Sequence, residues 1–474
     1  MTRLANRIQL RGLAAAFVAG IVLCLAASGS AWAAVDVTTL ADQISESRLQ
    51  SRIEEMAALG SRVSGYPGNE QAAEMILDTF DEMGLETHVQ EFDLPTPLQK
   101  SASLEVDGQS YEIDALWPNL ARTSAVSSEG ITGPVIYAGD GRLGSFNGRS
   151  VEDSIVLMEF NSSQNWLHAP LLDADAVVFI GPENTSRGEA ETKWMRVPVN
   201  VPRFWLDQED GDALKAAAEA GAEATLTADV RWESKVNKNI IGILPGSDPE
   251  LRDEAIILEA YYDSISVVPS RSPGAENAVS IATLLELAEI YSQDEFRPAR
   301  SVIFLACSGH FEALAGAREF VALWGREPRK TRERGERYDE LEEELADLEE
   351  ELSETLDQIE RMEERKAALE AEQAELSEVQ RERQEQLASR ILVGQLELDE
   401  AGAHQRVTRL QSEIARTKEY MRIWEAIDQF EKVHMFIGLD LSTQSPTLGA
   451  FQVGWYYAQA HLLRFYSPLG KQFT

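Results

Sequence analysis

Apolar and polar positions along this chain follow two rhythms, and the switches between them mark its elements. Ala255–Asp263 is a nearly unbroken apolar run, Ser264–Ala275 is rich in turn formers, and Glu276–Tyr291 shows the spacing of an amphipathic helix. A second apolar run, Ser301–Cys307, empties into Ser308-Gly-His310-Phe-Glu312. Two such runs around a helical pattern predict a β-α-β unit with buried parallel strands. In such sheets chemistry gathers at the C-terminal strand ends, which here present Tyr261, Asp263, Glu276, His310 and Glu312.

Upstream, Val37–Leu59 reads as a helix stopped by Gly60, and Ser61–Gly68 as a turn-rich loop. Asn69 is placed to cap a helix carrying Ala72, Ile76, Phe80 and Met83 on one face, with Gly84 as its stop. Thr87–Leu94 and Ser103–Val106 read as strands. From Leu116 to Trp232 short strand patterns (Pro134–Ala138, Ser154–Phe160, Ala176–Ile180, Val201–Leu206) precede a helix, Gln208–Ala220. This stretch is expected to be a separate β-rich domain, because the α/β pattern resumes at Asn239–Leu244.

Arg326–Lys432 changes rhythm again. Tyr338, Leu341, Leu345, Leu348, Leu352, Ile359, Met362, Leu369 and Leu376 form a heptad seam weakened by Thr355, Lys366 and Gln373. A second seam (Val407, Leu410, Ile414, Met421, Trp424) follows Gly394 and Gly402. The pattern fits an antiparallel helical hairpin or a dimeric coiled coil; either offers a surface for self-association or a protein partner. His434–Leu441 reads as a last core strand ending in the carboxylate Asp440, and the aromatic tail to Thr474 is expected to continue further.

Composition narrows the function classes. The chain has 80 acidic and 43 basic residues and a net charge of −37, which argues against nucleic acid or an anionic membrane as partner. Arg3, Arg7 and Arg11 before apolar Leu13–Ala27, with Ala31-Trp-Ala33 behind, read as a cleaved export signal. The protein is therefore expected to be periplasmic or secreted, with no membrane span after cleavage. Cys24 leaves with the signal, so Cys307 stands alone as a buried apolar residue, and neither an internal disulfide nor a cysteine zinc cluster is available. His88, His168, His404 and His461 read as isolated, and Glu312 as a solvated first-turn helix residue.

Three stretches carry a family resemblance: Leu59–Gly68, Asn239–Pro249 and Ile256–Val321, with Gly438-Leu-Asp440 similar to an Asn-Leu-Asp strand end. Together they resemble the di-zinc aminopeptidases of metallopeptidase family 28, which include glutamate carboxypeptidase relatives. The β-rich stretch resembles the protease-associated domain found at that position in the family. The resemblance implies an α/β, zinc-exopeptidase-like mixed sheet flanked by helices, with that insertion and a long coiled-coil hairpin. It divides the chain into a signal (1–33), peptidase-like parts (34–115, 233–325, 433–474), the insertion (116–232) and the hairpin (326–432).

The same resemblance implies a degenerate site. Zinc in the family takes imidazole and carboxylate ligands, and a carboxylate base deprotonates the bound water. Tyr261 stands where the family has a histidine ligand, and Asp263 where an acid orients that histidine. Glu276 takes the bridging-aspartate place in a loop one residue shorter, His310 the general-base place, and Phe311 that of a ligand glutamate. Asp440 matches in kind. Glu276 and Asp440 are thus the metal candidates, joined by His310 and Glu312 in a single-ion version. Two functions follow: a homologue without di-zinc chemistry that binds a peptide or protein, or a metal-dependent exopeptidase with a remodelled site.

Overall fold

The computed structural model describes residues 37–194, 199–323, 336–375, 385–441, 451–458 and 461–468. The expected signal over Met1–Ala33 and the seam position Leu376 lie outside the described residues. Two compact units are present: one holds the chain to Thr87, Phe92–Ala317 and the stretch from Val433, and the other holds His88–Glu91 and Arg318–Lys432.

The first unit is built on a mixed sheet of eleven strands: β1 (Glu86–Val106), β2 (Gln109–Glu112), β3 (Asp114–Ala115), β4 (Ile131–Tyr137), β5 (Ile155–Glu159), β6 (Ala176–Ile180), β7 (Arg203–Leu206), β8 (Glu223–Leu244), β9 (Glu254–Tyr261), β10 (Ser301–Cys307) and β11 (Lys432–Leu439). Their order is β11-β9-β10-β8-β4-β5-β6-β7-β3, with β1 paired to β8 and β2. The predicted parallel pair is present, running from Ala255 opposite Ser301 to Tyr261 opposite Cys307. Every residue of β10 is buried, Cys307 included, as a strand covered on both faces requires.

The β-rich stretch shares this sheet. β8 is 22 residues long and runs through residue 232 without a break, pairing with β4 at one end and with β10 at the other. Two strands expected at Thr87–Leu94 and Ser103–Val106 are likewise one, β1, continuous through Pro95 and Pro97. Further along, Phe451–Ala458 and His461–Pro468 pair as a separate antiparallel ladder.

Helices pack on this sheet, with starts set by local chemistry. The expected helix Val37–Leu59 is two, α1 (Val37–Ala41) and α2 (Glu46–Ala58), because the Ser45 hydroxyl accepts from the Arg48 amide and caps a new start. α3 (Pro67–Glu82) begins two residues before Asn69, with proline in its first turn. Asn69 is buried and does not cap; its side chain donates to the Arg62 carbonyl and accepts from Ser308. α4 (Gln208–Glu219) follows β7.

α5 (Ala278–Ser292) departs most from expectation. It is buried almost all round, with only Thr283, Glu289 and Ser292 partly exposed, the mark of a core helix rather than an amphipathic one. Its buried Glu286 is met by α2: Arg48 Nη2 and Arg52 Nη1 each donate at 2.6 Å, and the Ser45 amide donates at 2.7 Å. After β10 the chain turns through residues 308–314 into α6 (Ala315–Leu323).

The second unit is dominated by two long helices, α7 (Glu336–Glu375) and α8 (Glu385–Asp428). Ion pairs Glu349–Lys418, Glu351–Arg406 and Lys366–Glu400 descend one helix as they climb the other, so the pair is an antiparallel hairpin within one chain. Leu341, Ile359, Leu410 and Ile414 are buried in its seam. Thr355 is buried there too, its hydroxyl spent on the Glu351 carbonyl at 2.8 Å. Gly394 and Gly402 do not interrupt α8, which is helical through both.

Candidate functional site

The strand ends of β9 and β10 bring the predicted residues together around two centres. Asp263 is completely buried just after β9, and its Oδ2 accepts from the His310 amide at 3.0 Å and from Ser64 Oγ at 3.3 Å. The same hydroxyl lies 3.0 Å from Glu312 Oε2. One hydroxyl proton serves one acceptor at a time, so these two carboxyl groups compete for it. Burial, then the neighbouring Glu312 charge, pushes Asp263 well above the usual carboxylate range, and burial raises Glu312 also. Asp263 Oδ1 makes no hydrogen bond among the described residues.

Glu312 is therefore not the solvated helix residue expected. It is half-buried in a turn, and α6 begins only at Ala315. Ala313 and Leu314 both have φ of 59°, a left-handed conformation unusual for side-chain-bearing residues, here two in succession.

The second centre is aromatic. Tyr261 and His310 stack with ring centroids 3.9 Å apart and planes 25° from parallel. Phe311 sets its edge against both, at 5.5 Å from Tyr261 and 5.0 Å from His310. The Tyr261 hydroxyl donates to Asp440 Oδ1 at 3.1 Å, and the Asn277 side chain hydrogen-bonds the same phenol. Burial, then Asp440, holds the Tyr261 proton on above the ordinary phenol range. Burial lowers His310, with Asp440 opposing.

The loop bearing Glu276 is held from beneath by Arg62. This guanidinium is fully buried and donates Nε to the Tyr262 carbonyl at 3.0 Å, Nη1 to Met56 at 3.0 Å and to Pro273, and Nη2 to Gly274 at 2.9 Å. Burial lowers it to about 10, with Asp263 opposing. Gly274 has φ of +58°, and a Cβ there would collide with Ser264, so the loop can close over Arg62 only with glycine. From the other side Trp117 donates its amide to the Val267 carbonyl, and Arg271 bridges Asp114 and Asp207.

Of the metal candidates, Asp440 is exposed after β11 and Glu276 is half-buried at the end of its loop. Among the described residues, the group of three carboxylate or imidazole side chains whose ligand atoms lie within 4.8 Å of one another is Glu363, Glu400 and His404, in the hairpin. His404 is thus not isolated, and His88 also has a carboxylate neighbour, Glu419 at 3.2 Å. Pattern reading passed over Arg62, Ser64, Asn277 and Glu259. Glu259 had a signal, the charge inside Ala255–Tyr261; burial, then Asp440, lifts its carboxyl to about 7.

Comparison with known proteins places these elements. Residues 239–380 match the model of Peptidase family M28. Aminopeptidase YwaD of Bacillus subtilis (strain 168) is 24% identical over 268 residues, which are 56% of this chain and 54% of that protein. The chain thus spans about half the length of the curated relative it matches. Among solved structures, BSAP, a zinc aminopeptidase from Bacillus subtilis, is 21% identical over 58% of this chain and 64% of its own, with a TM-score of 0.42. An aminopeptidase from Aneurinibacillus sp. strain AM-1 is 19% identical over 59% and 66%, with a TM-score of 0.35. By these matches the chain is similar to Peptidase family M28 over residues 239–380.

Proposed function

We propose that this protein is an exported family M28 homologue that binds a peptide or protein ligand without di-zinc hydrolysis. The observation that carries the reading is the Tyr261–His310 stack at 3.9 Å, closed on one side by the bond from Tyr261 to Asp440. Zinc needs imidazole nitrogen, thiolate or carboxylate oxygen converging on one point. Here a phenol that keeps its proton stands at the first position, its proton given to Asp440, and Phe311 brings no ligand atom. His310 has one ring face covered by Tyr261. These residues do not fit a di-zinc centre, and no hydrolytic step is assigned to them.

The match to Peptidase family M28 and to an aminopeptidase favours a second reading, in which Glu276 and Asp440 hold a single ion and hydrolysis depends on it. One experiment separates the two. The purified chain is equilibrated with zinc, freed of excess ion, and assayed for bound metal and for release of N-terminal residues from peptides. Substoichiometric zinc and no release are expected. Stoichiometric zinc together with release that a chelator or Asp440→Ala abolishes would replace the first reading by the second.

On the same proposal, the protease-associated-like stretch 116–232 and the hairpin 326–432 provide the surfaces for ligand binding and assembly. Crosslinking of the full chain and of a chain lacking 326–432 tests this, with loss of crosslinked species expected in the shortened chain.

A further inference from the structure

Four segments meet at the strand ends, and Tyr261 touches each of them. It is the last residue of β9, and its ring stacks on His310 and meets Phe311, both just past β10. Its hydroxyl is bonded to Asn277, which opens α5, and to Asp440, which follows β11. Among the described residues β11 is an edge strand with β9 as its sheet neighbour. Lys432, Phe436 and Gly438 are exposed along it and Asp440 just beyond, so Leu439, 2% exposed, is the one buried side chain of the strand. A further tie at that end is the Leu441 amide, which donates to buried Ser280 Oγ at 2.8 Å.

We infer that the Tyr261 phenol is a built-in cross-link that seats the end of β11 and the start of α5 on the strand ends. The inference rests on the reading that no di-zinc centre forms here. The chemistry suits the task. A phenol donates one proton and accepts one, so Asp440 and Asn277 can both be held by the same oxygen. Because Tyr261 is only 5% exposed while Asp440 is exposed, water can replace the phenol at Asp440 but cannot readily replace Asp440 at the phenol. That asymmetry keeps the bond closed. Stacking on His310 fixes the ring so that the hydroxyl points to the β11 end without a search among rotamers.

Hydrogen exchange followed by mass spectrometry on the full chain tests this, because it reads local opening of the 433–441 segment. In the wild type, exchange there is expected to be the same with zinc and with a chelator. Tyr261→Phe, which keeps the ring, is expected to speed exchange at 433–441 about tenfold, as loss of a hydrogen bond to a carboxylate implies. Asp440→Ala, an exposed position that leaves the core intact, is expected to do the same. The double variant should exchange no faster than either single one, since both remove the same bond. Unchanged exchange in both single variants, or effects that add, would overturn the cross-link and leave the metal-free reading standing. Protection of 433–441 that appears with zinc and disappears with the chelator would overturn both, because an ion would then be doing the work.

Discussion

Arg62 donates its Nη2 to the carbonyl oxygen of Gly274 over 2.9 Å, from a position with no exposure to solvent. With its bonds to Met56, Tyr262 and Pro273, this makes one side chain the organiser of the end of α2, the end of β9 and the loop leading to Glu276. A guanidinium can do this because its donors form a rigid fork; an ammonium cannot reach the same four carbonyls. Arg62→Ala is expected to cost about 3–5 kcal/mol, through stranded buried carbonyls and the cavity left behind. Arg62→Lys should recover only part of that loss. Urea unfolding of the two variants against the wild type checks the order, and equal midpoints for wild type and Arg62→Lys would refute it.

Glu286 gives a second test of the same packing logic. It is 2% exposed on α5 and is neutralised by Arg48 and Arg52 of α2. Glu286→Ala removes an acceptor of the Ser45 amide and of both guanidiniums but leaves each arginine Glu289, so it should lose about 2 kcal/mol. Arg52→Ala in the same chain should cost less than it does alone, because the bond to Glu286 is already gone. Chemical unfolding of the two single variants and the double completes the cycle.

The pH dependence follows from Glu259. Burial, then Asp440, moves its carboxyl from 4.5 to about 7 in the folded chain. The folded state therefore holds this proton more tightly than the unfolded state. The stability Glu259 contributes is fully present below pH 4.5 and is lost as pH rises through about 7. The full span is about 3 kcal/mol at 1.36 kcal/mol per unit. Asp263 and Glu312 are raised as well and act in the same direction. Glu259→Gln should flatten the slope between pH 4.5 and 8 and leave the variant more stable than wild type at pH 8. Thermal unfolding across that range measures it; a wild-type chain that gains stability from pH 5 to 8 would contradict the assignment.

The hairpin offers a gain rather than a loss. Gly394 and Gly402 lie inside α8, and a Cβ added at either would meet nothing within 4 Å. Glycine in a helix interior costs roughly 1 kcal/mol relative to alanine, through backbone entropy alone. Gly394→Ala and Gly402→Ala should each stabilise the helix pair by about that amount and add nearly independently. Helical circular dichroism during heating reads the shift, and destabilisation by either change would show that the glycine is needed for another reason.

Much of the first unit was legible in the residue pattern. Ser301–Cys307 and Ala176–Ile180 are strands with the bounds the apolar runs indicate, since a short run of branched apolar residues between turns has few other ways to be buried. Less legible was continuity. β1 joins two expected strands and β8 runs across the expected end of the β-rich stretch, because pattern marks where side chains alternate but not whether a ladder partner continues alongside. Asn69 shows the same limit at a helix start: its residue type suits a cap, yet its amide is used by Arg62 and Ser308, which are distant in sequence.

By itself the sequence determined the β-α-β core, the heptad periodicity of the long helices, and the residue types at the strand ends, including the phenol at Tyr261. Those are local properties, set by the spacing of apolar positions and by side-chain chemistry. Only the tertiary structure decided what the strand-end residues do with one another. It stacks Tyr261 on His310, gives the phenol proton to Asp440, buries Asp263 and Glu312 against a single Ser64 hydroxyl, and raises Glu259 by enclosing it beside Asp440. Each of these depends on groups tens to hundreds of residues apart in the chain being brought within a few ångströms. Hydrogen bonding, ring stacking and desolvation act only over that range.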